Sequence, residues 1–394
     1  MNTSANNSTG KFSLVVGGPF HTALRRLGLV GTDLLPSQRA AIGLALIAWL
    51  LPALLVVAQS LLESHYSGWG FFTDGTVYAR YLVAIWVMIA TERYADGRIV
   101  ILTRQFREAQ LLSDNGQREF TAILTSADRR SGSALAEVII LAVVLVWSGL
   151  TASFAVELAG SSWEGTVAAG EVTLSWAGEI ARFISNPLFL FLVLRWIWRF
   201  LVWSVLLFRI SRLPLELTPL HPDRTGGLGF LAIYPGIFSG LIFALSCVIA
   251  SSILKDLSFS HHSSEAIWIV LLGWIMMCLF LFLGPMLVFV RPLYMLREQA
   301  LLDYGRLAHQ HHLAFHRKWI GEARNGGELI GSPEPSSVSD LNASVETVLR
   351  MRLFPVDRAA VVQLVIAAGV PMLAVVGSQV SFLELLKWVA GSIL

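Results

Sequence analysis

Charged side chains are scarce in this chain of 394 residues, since Asp, Glu, Lys and Arg together make up only 14% of it. Ordinary soluble domains carry roughly a quarter charged residues, so the composition argues against a soluble fold. The net charge of +2 is too small to indicate a nucleic-acid-binding surface. The composition therefore points to the membrane, with the lipid bilayer as the first partner.

Cysteine is nearly absent, since Cys247 and Cys278 are the only two and both lie inside hydrophobic stretches. A disulfide framework is excluded, and a zinc site built on thiolates is not expected. Residues 1–19 are rich in Asn, Ser and Thr, and their one weak apolar patch is Leu14–Val16. Because this region lacks the hydrophobic core of a signal peptide, we expect no cleavable signal.

Hydrophobic residues, by contrast, make up 55% of the chain, and its 13 tryptophans suit rings that lie at two membrane–water interfaces. A helix needs about 20 apolar residues to cross the hydrocarbon core of a bilayer. Seven segments approach that length: Ala40–Leu62, Thr76–Tyr94, Ala134–Val156, Ala181–Leu201, Gly229–Leu254, Ala266–Val290 and Ala359–Val380. The sequence predicts an all-α fold, a polytopic transmembrane helical bundle of about seven spans with cytoplasmic helical extensions.

The loops between these segments differ in positive charge. If the N-terminus is cytoplasmic, 23 of the 29 Lys and Arg residues fall in loops on that side and only 4 on the opposite side. Loops rich in Lys and Arg stay in the cytoplasm. The second segment has an apolar core of only ten residues, Tyr81–Ala90, but omitting it would place the Arg-rich stretch 91–133 outside. The charge split therefore predicts seven spans, with the N-terminus inside and the C-terminus outside.

This topology divides the chain into four parts, with two cytoplasmic loops and one Gly- and Pro-rich flexible linker. They are a cytoplasmic N-terminal segment (1–39), spans one to six (40–290) with loops 95–133 and 209–228, a cytoplasmic helical region (291–358) with the linker 326–339, and a final part (359–394). Gly369-Val370-Pro371 interrupts the final part, which is either a span or a re-entrant segment, followed by an amphipathic tail.

Three stretches of the chain resemble a family of uncharacterised bacterial multi-pass inner-membrane proteins. The first is LRWIWRFLVWSVLLFRISRLPLELTPLHPDRTGGLGFL, at Leu194–Leu231. The others are ARYLVAIWVMIATER…RQFR, between Ala79 and Arg107, and VLRMRLFPVDR, at Val348–Arg358. The resemblance implies a multi-pass helical fold in the bacterial inner (plasma) membrane. The family has no established activity, so the resemblance implies no reaction and no ligand.

The loop LHPDRTGGLGF, at Leu220–Phe230, is the densest polar cluster. Its glycines let backbone N–H groups converge where a helix begins, which suits an anion, and an arginine there can clamp a phosphate or carboxylate. The candidate ligand-binding residues are His221, Asp223, Arg224, Gly226 and Gly227. Alternatively, Asp223 or Thr225 caps the fifth span while Arg224 anchors it at the interface.

Five ionisable residues form a candidate charge pathway within the membrane: Glu92, Asp96, Glu137, Arg195 and Arg199. If the two arginines lie near mid-membrane, they line a cavity or pair with these acids, because an unpaired charge there is costly. If the fourth span begins near Ala181, they are instead anchors at the inner interface. Glu179 and Arg182, near its other end, predict a local ion pair.

Histidines recur at 309, 311, 312 and 316, and His312 and His316 are four residues apart, which is acceptable spacing for a metal. No acidic ligand follows nearby, so a solvated helix face is the preferred interpretation, as it is for His261-His262. No metal and no other cofactor is predicted.

Three functions remain open after this reading. The first is permeation of an ion or small solute, favoured by interrupted helices and charges at membrane depth. The second is binding or processing of anionic lipid headgroups at the cytoplasmic face through the His221–Arg224 loop. The third is a membrane sensor or scaffold. No convincing nucleophile lies beside the polar loop, so an enzyme is not favoured and no catalytic residue is predicted. Association of several copies of the chain stays open.

Overall fold

The computed structural model describes residues 12–63, 66, 68–159, 162–168, 171–259, 264–320 and 333–379. The pair His261-His262, the amphipathic tail 381–394 and residues 326–332 of the predicted linker lie outside these residues. Within them the chain is mainly helical, in agreement with the predicted all-α class.

Sixteen α-helices are found in the described residues. They are α1 (Gly18–Arg26), α2 (Gln38–Leu62), α3 (Gly70–Thr73), α4 (Gly75–Val77), α5 (Ile85–Ala90), α6 (Glu92–Glu108), α7 (Asp114–Ser131), α8 (Ala134–Ala159), α9 (Trp176–Ile180), α10 (Asn186–Ile210), α11 (Ser239–Phe259), α12 (Ser264–Leu283), α13 (Val290–Trp319), α14 (Glu334–Leu349), α15 (Arg358–Gly369) and α16 (Leu373–Gln379).

A short antiparallel hairpin is the exception to the helical fold. Strands β1 (Gly165–Ala168) and β2 (Glu171–Leu174) pair between α8 and α9, with Thr166 opposite Thr173. Their threonine hydroxyls lie 3.0 Å apart. The sequence analysis did not predict this hairpin, because two strands of four residues carry no lasting alternation of apolar and polar side chains.

Five helical stretches of the described chain are long and apolar enough to cross a membrane. They are Gln38–Leu62, Asp114–Thr151, Trp176–Ile210, Gly229–Leu257 and Ile267–Trp319. They correspond to the first, third, fourth, fifth and sixth predicted segments. The second and seventh segments are not among them, so the predicted count of seven spans is met only in part.

The second segment is short because it is the centre of the helix packing. A π-helical stretch, Tyr78–Ala84, continues into α5, and the two pack against α2 and α11. Tyr81, Ile85 and Met88 are completely buried. A helix enclosed by other helices needs no continuous apolar surface towards lipid, so hydropathy alone underrates it.

Prolines accompany irregular turns in three of the other long helical stretches, whereas Pro52 lies inside the continuous helix α2. Pro187 follows a π-helical turn, Ala181–Ser185, which joins α9 to α10 without a break in direction. Proline removes one backbone donor, and a π-turn is one way for a helix to accommodate the loss. Pro235 and Pro285 lie in the 3₁₀ stretches Gly229–Phe238 and Gly284–Phe289, which lead into α11 and α13.

The last predicted segment is broken into two helices. α15 ends at Gly369 and α16 begins at Leu373, so Pro371 lies in the break, as its position predicts. α15 packs against α11 and α12, and α16 packs against α11.

The described part of the extension at 291–358 is mainly helical, and the helical part includes the last six residues of the predicted linker. Residues 334–339 belong to α14, which packs along α13. Pro335 occupies the first turn of that helix, where the missing N–H costs nothing, and Lys318 forms an ion pair with Glu334. The proline that suggested a linker therefore begins a helix instead.

Candidate functional site

Two acidic and two basic side chains meet in the interior and form what we call the buried cluster: Glu92, Glu137, Arg195 and Arg199. Each is at most 5% exposed. Oε1 of Glu92 accepts from Nη1 of Arg195 at 2.9 Å and from Nη1 of Arg199 at 2.7 Å. Nε of Arg195 donates to Oε1 of Glu137 at 3.0 Å. The two carboxylates balance the two guanidinium groups, which is the condition for keeping charges away from water.

Three helices bring these residues together. Arg195 and Arg199 are four apart and share one face of α10. Glu92 is the first residue of α6, and Glu137 lies in the first turn of α8. Of the two interpretations of the arginines, the interior one fits this geometry, because interfacial anchors would keep their charged ends in contact with solvent.

An N-terminal segment, residues 12–20, covers the buried cluster, and we call it the N-terminal strap. The carbonyl oxygen of Val15 lies 3.5 Å from Nη2 of both arginines. The backbone N–H of Phe20 donates to Oε2 of Glu137 at 2.8 Å, and its ring lies 4.8 Å from the Arg195 guanidinium carbon. The strap therefore bonds with both signs of charge in the cluster.

Asp96, the fifth residue of the predicted pathway, is held by the strap and not by an arginine. The hydroxyl of Ser13 donates to Oδ1 of Asp96. Phe12, Leu14 and Val15 are buried beside this bond. Asp96 thus lies next to the buried cluster without joining its ion pairs.

Glycine permits the close approach of the strap to the cluster. Gly18 has a φ of +82°, and a Cβ there would lie 2.6 Å from Oε1 of Glu137. Any other residue would be strained at this φ and would collide with the carboxylate. The sequence predicted no function for the strap. Its apolar patch Leu14–Val16, followed by Gly17-Gly18-Pro19, nevertheless indicates a segment that packs against the rest of the protein.

A cavity with a polar lining, which we call the polar cavity, lies near the beginning of the helical stretch Trp176–Ile210. The same stretch carries Arg195 and Arg199. The cavity encloses about 270 Å³, and its polar lining includes Arg80, Glu164, Arg182 and Asn186. Oδ1 of Asn186 accepts from the hydroxyl of Tyr81 at 2.9 Å and from Nη1 of Arg80 at 3.3 Å. Thirteen residues separate Arg182 from Arg195, so the two polar groups lie about 20 Å apart along the helix.

Arg182 does not form the predicted pair with Glu179. Its Nη2 donates to the carbonyl oxygen of Gly149 on α8 at 2.9 Å, and no ion pair with Glu179 occurs in the described structure. The π-turn that contains Arg182 directs it towards α8 and the polar cavity. A π-turn cannot be read from residue spacing, so sequence reasoning missed this cavity.

The loop that was predicted to bind an anion is filled by a carboxylate of the protein itself. Asp223 accepts hydrogen bonds from the backbone N–H groups of Thr225 at 2.8 Å, Gly227 at 3.2 Å and Gly229 at 2.7 Å. Burial opposes ionisation, but these hydrogen bonds and His221 together lower the pKa of Asp223 below its usual value. The geometry fits the capping alternative, because the converging N–H groups are already occupied.

The remaining residues of this loop support the turn. Gly226 and Gly227 have φ values of +67° and +99°, and Arg224 has a φ of +58°. The backbone N–H of Arg352 donates to the carbonyl oxygen of Arg224 at 2.7 Å. His221 is exposed, and its Nδ1 lies 2.9 Å from Oδ1 of Asp223. The loop thus joins the start of the fifth helical stretch to the segment before α15.

Comparison with protein-family models, with curated proteins and with solved structures finds no significant match for this chain. The family resemblance of Leu194–Leu231 therefore stays a hypothesis. The functional argument rests on the geometry of the site.

The candidate metal histidines lie along one exposed helix. His309, His311, His312 and His316 are all on α13, and Nε2 of His311 lies 3.0 Å from Oγ of Ser337. Across the described ranges, no group of three His, Cys, Asp or Glu residues is placed to hold a metal ion.

Proposed function

We propose that this protein is a seven-span protein of the bacterial inner membrane that moves an ion or small solute across the bilayer. The N-terminus is cytoplasmic in this topology, in keeping with the 23-to-4 distribution of Lys and Arg. The central stretch Tyr78–Ala90 and the broken pair α15 and α16 complete the five long apolar helices. Broken helices that contact other helices are a recurrent feature of transporters.

The buried cluster carries this proposal. Charges inside a membrane span are expensive, and they commonly mark pathways for ions, protons or charged solutes. A purely structural contact between α6, α8 and α10 would be made as well by apolar side chains, often with a gain in stability. The presence of four charged side chains at this contact therefore favours a function that depends on their charge.

The N-terminal strap is the proposed cytoplasmic gate. It contacts the cluster through the Val15 carbonyl, the Phe20 N–H and the Phe20 ring, and no part of it crosses the bilayer. Its withdrawal would expose Arg195, Glu137 and Asp96 to the cytoplasm together. Three buried residues form an apolar layer between the two polar groups. Ile85 and Met88 lie between Arg80 and Glu92 along the chain, and Leu192 lies between Arg182 and Arg195.

This arrangement fits a protein that alternates between access from the two sides. In the form described, the cytoplasmic side is closed by the strap while the polar cavity is open at the other end. Transport then requires the strap and the apolar layer to open in turn, as in alternating-access proteins.

Flux through liposomes that contain the purified protein tests the proposal. We expect uptake of at least one solute among K⁺, Na⁺, Cl⁻ and small carboxylates, and we expect Arg195→Leu to abolish it. Arg118→Leu is the matched control, because Arg118 is exposed on α7 and lies outside the buried cluster and both grooves described below. Flux that is unchanged in Arg195→Leu would contradict the proposal.

A paired variant separates lost function from lost folding. Arg195→Gln with Glu137→Gln removes one charge of each sign, so no unpaired charge is left between them. We expect this double variant to fold and to lose flux. Normal flux in it would show that these charges have only a structural role.

A second candidate function, binding of anionic lipid headgroups, is favoured by two grooves at the proposed inner interface. One is lined by Arg129, Arg130 and Ser133 above apolar side chains of α8, and Trp198 closes its side. The other is lined by Ser211, Arg212 and Arg291. Basic pockets above apolar grooves at this depth suit phosphate headgroups with their acyl chains.

Native mass spectrometry of the protein with phosphatidylglycerol tests this second function. We expect fewer retained lipids after the double substitution of Arg129 and Arg130 by Gln. Substitution of His221 and Arg224 by Ala should leave lipid retention unchanged, because Asp223 occupies the N–H groups of their loop. If lipid retention falls after substitution of His221 and Arg224 but not after substitution of Arg129 and Arg130, the lipid site is in that loop instead.

A further inference from the structure

The polar cavity presents two arginines whose charges are not paired within the described structure. Arg80 and Arg182 both line it, and each comes from a π-helical stretch. π-Turns are uncommon and occur frequently at functional sites, because they turn one side chain out of the regular helical position. Two π-helical stretches at a single cavity therefore favour a functional site there.

Most donors of these two guanidinium groups remain available. Arg80 donates to Asn186 at 3.3 Å and also bonds with the hydroxyl of Tyr81, and Arg182 donates to the carbonyl oxygen of Gly149. Nε of Arg182 is buried and has no partner there. A guanidinium group has five N–H donors in a planar fork that matches a carboxylate. Because both guanidinium groups line the same cavity, donors without a partner in the described structure lie at its wall.

The acidic side chains around the cavity do not neutralise both arginines. Asp74 is bound by Lys255 at 2.7 Å, so its charge is already paired. Glu164 lines the cavity but forms no ion pair with any described residue. Burial raises the pKa of Glu164, and the neighbouring Arg80 and Lys255 partly oppose this shift. Two guanidinium charges thus face one carboxylate.

The rest of the lining selects the kind of anion. Trp147, Leu174, Phe189 and Leu190 supply apolar walls. The hydroxyl groups of Ser148 and Thr151 also line the cavity, but they donate to the carbonyl oxygens of Arg182 and Trp147. An inorganic anion gains nothing from such walls, whereas a short carbon chain does. A space of about 270 Å³ admits only a small molecule.

We propose that the polar cavity binds a small organic carboxylate between Arg80 and Arg182, with the carbon chain against Phe189 and Trp147. Glu164 stands opposite and accepts an ammonium group where the ligand has one. This inference deepens the proposed function by naming the solute class, and only its transport step rests on that function. Binding itself does not depend on flux.

Propionate and alanine are matched probes, because they differ by one ammonium group on the same three-carbon chain. Calorimetric titration of the full chain in detergent should detect binding of at least one of them. We expect Arg80→Gln and Arg182→Gln each to weaken binding about tenfold or more, since each removes charge-assisted hydrogen bonds. Arg98 is a partly exposed residue of α6 that packs on Tyr94, so Arg98→Gln is the control and should bind as the wild type does.

The third variant, Glu164→Gln, reports on the ammonium group. It should weaken alanine binding relative to propionate, and it should not weaken propionate binding. No binding of either probe to the wild-type protein would overturn the inference, as would equal losses in Arg98→Gln and Arg182→Gln. If sulfate binds with the same affinity as the carboxylate probes, the inference would also be overturned, because the apolar walls would then have no effect on binding.

The outcome is distinguishable from failure of the proposed function. Carboxylate binding without flux in liposomes would support this site and contradict transport. Ion flux that depends on Arg195, with no carboxylate binding, would support transport and remove this site.

Discussion

The buried cluster and the polar cavity lie on the same two pieces of chain, yet they treat charge in opposite ways. One piece runs from Tyr78 to Asp96 and the other from Ala181 to Arg199, and each contributes to both groups. In the buried cluster every ionised side chain has a partner of opposite sign. In the polar cavity, Arg80, Arg182 and Glu164 make no ion pair in the described structure. The charges are paired where the site is closed to water, and hydrogen-bond donors stay without a partner where the site is open.

The difference follows from access to water. A charge without water must be paired, and the pair is strongly coupled because the surroundings screen it little. A charge in an open cavity keeps part of its hydration and is free to exchange water for a ligand. The cavity is therefore the part of the molecule suited to bind a solute, and the cluster is the part suited to respond when the strap moves.

Removal of one partner from the buried cluster should have the largest effect. Glu92 binds both arginines, so Glu92→Ala removes the one carboxylate with which Arg199 forms an ion pair in the described structure. We expect the free energy of unfolding in mixed detergent and SDS micelles to fall by about 3–5 kcal/mol. Glu108→Ala removes an exposed pair with Arg104 and should cost less than about 1 kcal/mol. Equal losses would mean that the cluster is hydrated and that the contrast with the cavity is false.

Displacement of the strap should have an intermediate effect. A side chain at Gly18 would meet the Glu137 carboxylate, whereas one at Gly28 would meet no atom within 4 Å, although both have positive φ. Gly18→Val should therefore cost about 1–3 kcal/mol more than Gly28→Val, the range for overpacking a filled site. Trypsin cleavage after Arg25 and Arg26 should become faster in Gly18→Val alone. Equal cleavage rates in the two variants would show that the strap is not held against the cluster.

The sequence predicted part of this comparison and could not predict the rest. The scarcity of charge made Glu92, Glu137, Arg195 and Arg199 conspicuous, because each lies within or beside an apolar segment. Long apolar runs likewise predicted five of the spanning helices, since transfer into lipid depends on composition. Pairing at a distance of 103 residues, as between Arg195 and Glu92, depends on tertiary packing that no local pattern contains.

The polar cavity was missed for a different reason. Arg182 was predicted to pair with Glu179 at one end of the fourth segment, and Arg80 lies near the beginning of the second segment, a usual position for arginine in membrane proteins. Only the two π-turns bring them to one space. The hairpin β1–β2 and the strap have short or weak patterns, and both gain their stability from contacts with other segments.

The smallest effect should be a pH dependence confined to the polar cavity. Burial raises the pKa of Glu164 from its usual value of 4.5, so the folded protein binds this proton more tightly than the unfolded chain does. Stability from this group is therefore greatest below pH 4.5 and falls as the pH rises through the higher pKa of the folded state. Glu164→Gln has no carboxyl group to ionise in this buried position. Its thermal midpoint should therefore exceed that of the wild type at pH 7.5 and match it near pH 4. Glu171→Gln, an exposed change on β2 of the adjacent hairpin, should show no such crossover. If Glu164→Gln follows the wild type at every pH, this carboxyl is paired as those of the buried cluster are, and the two regions no longer differ.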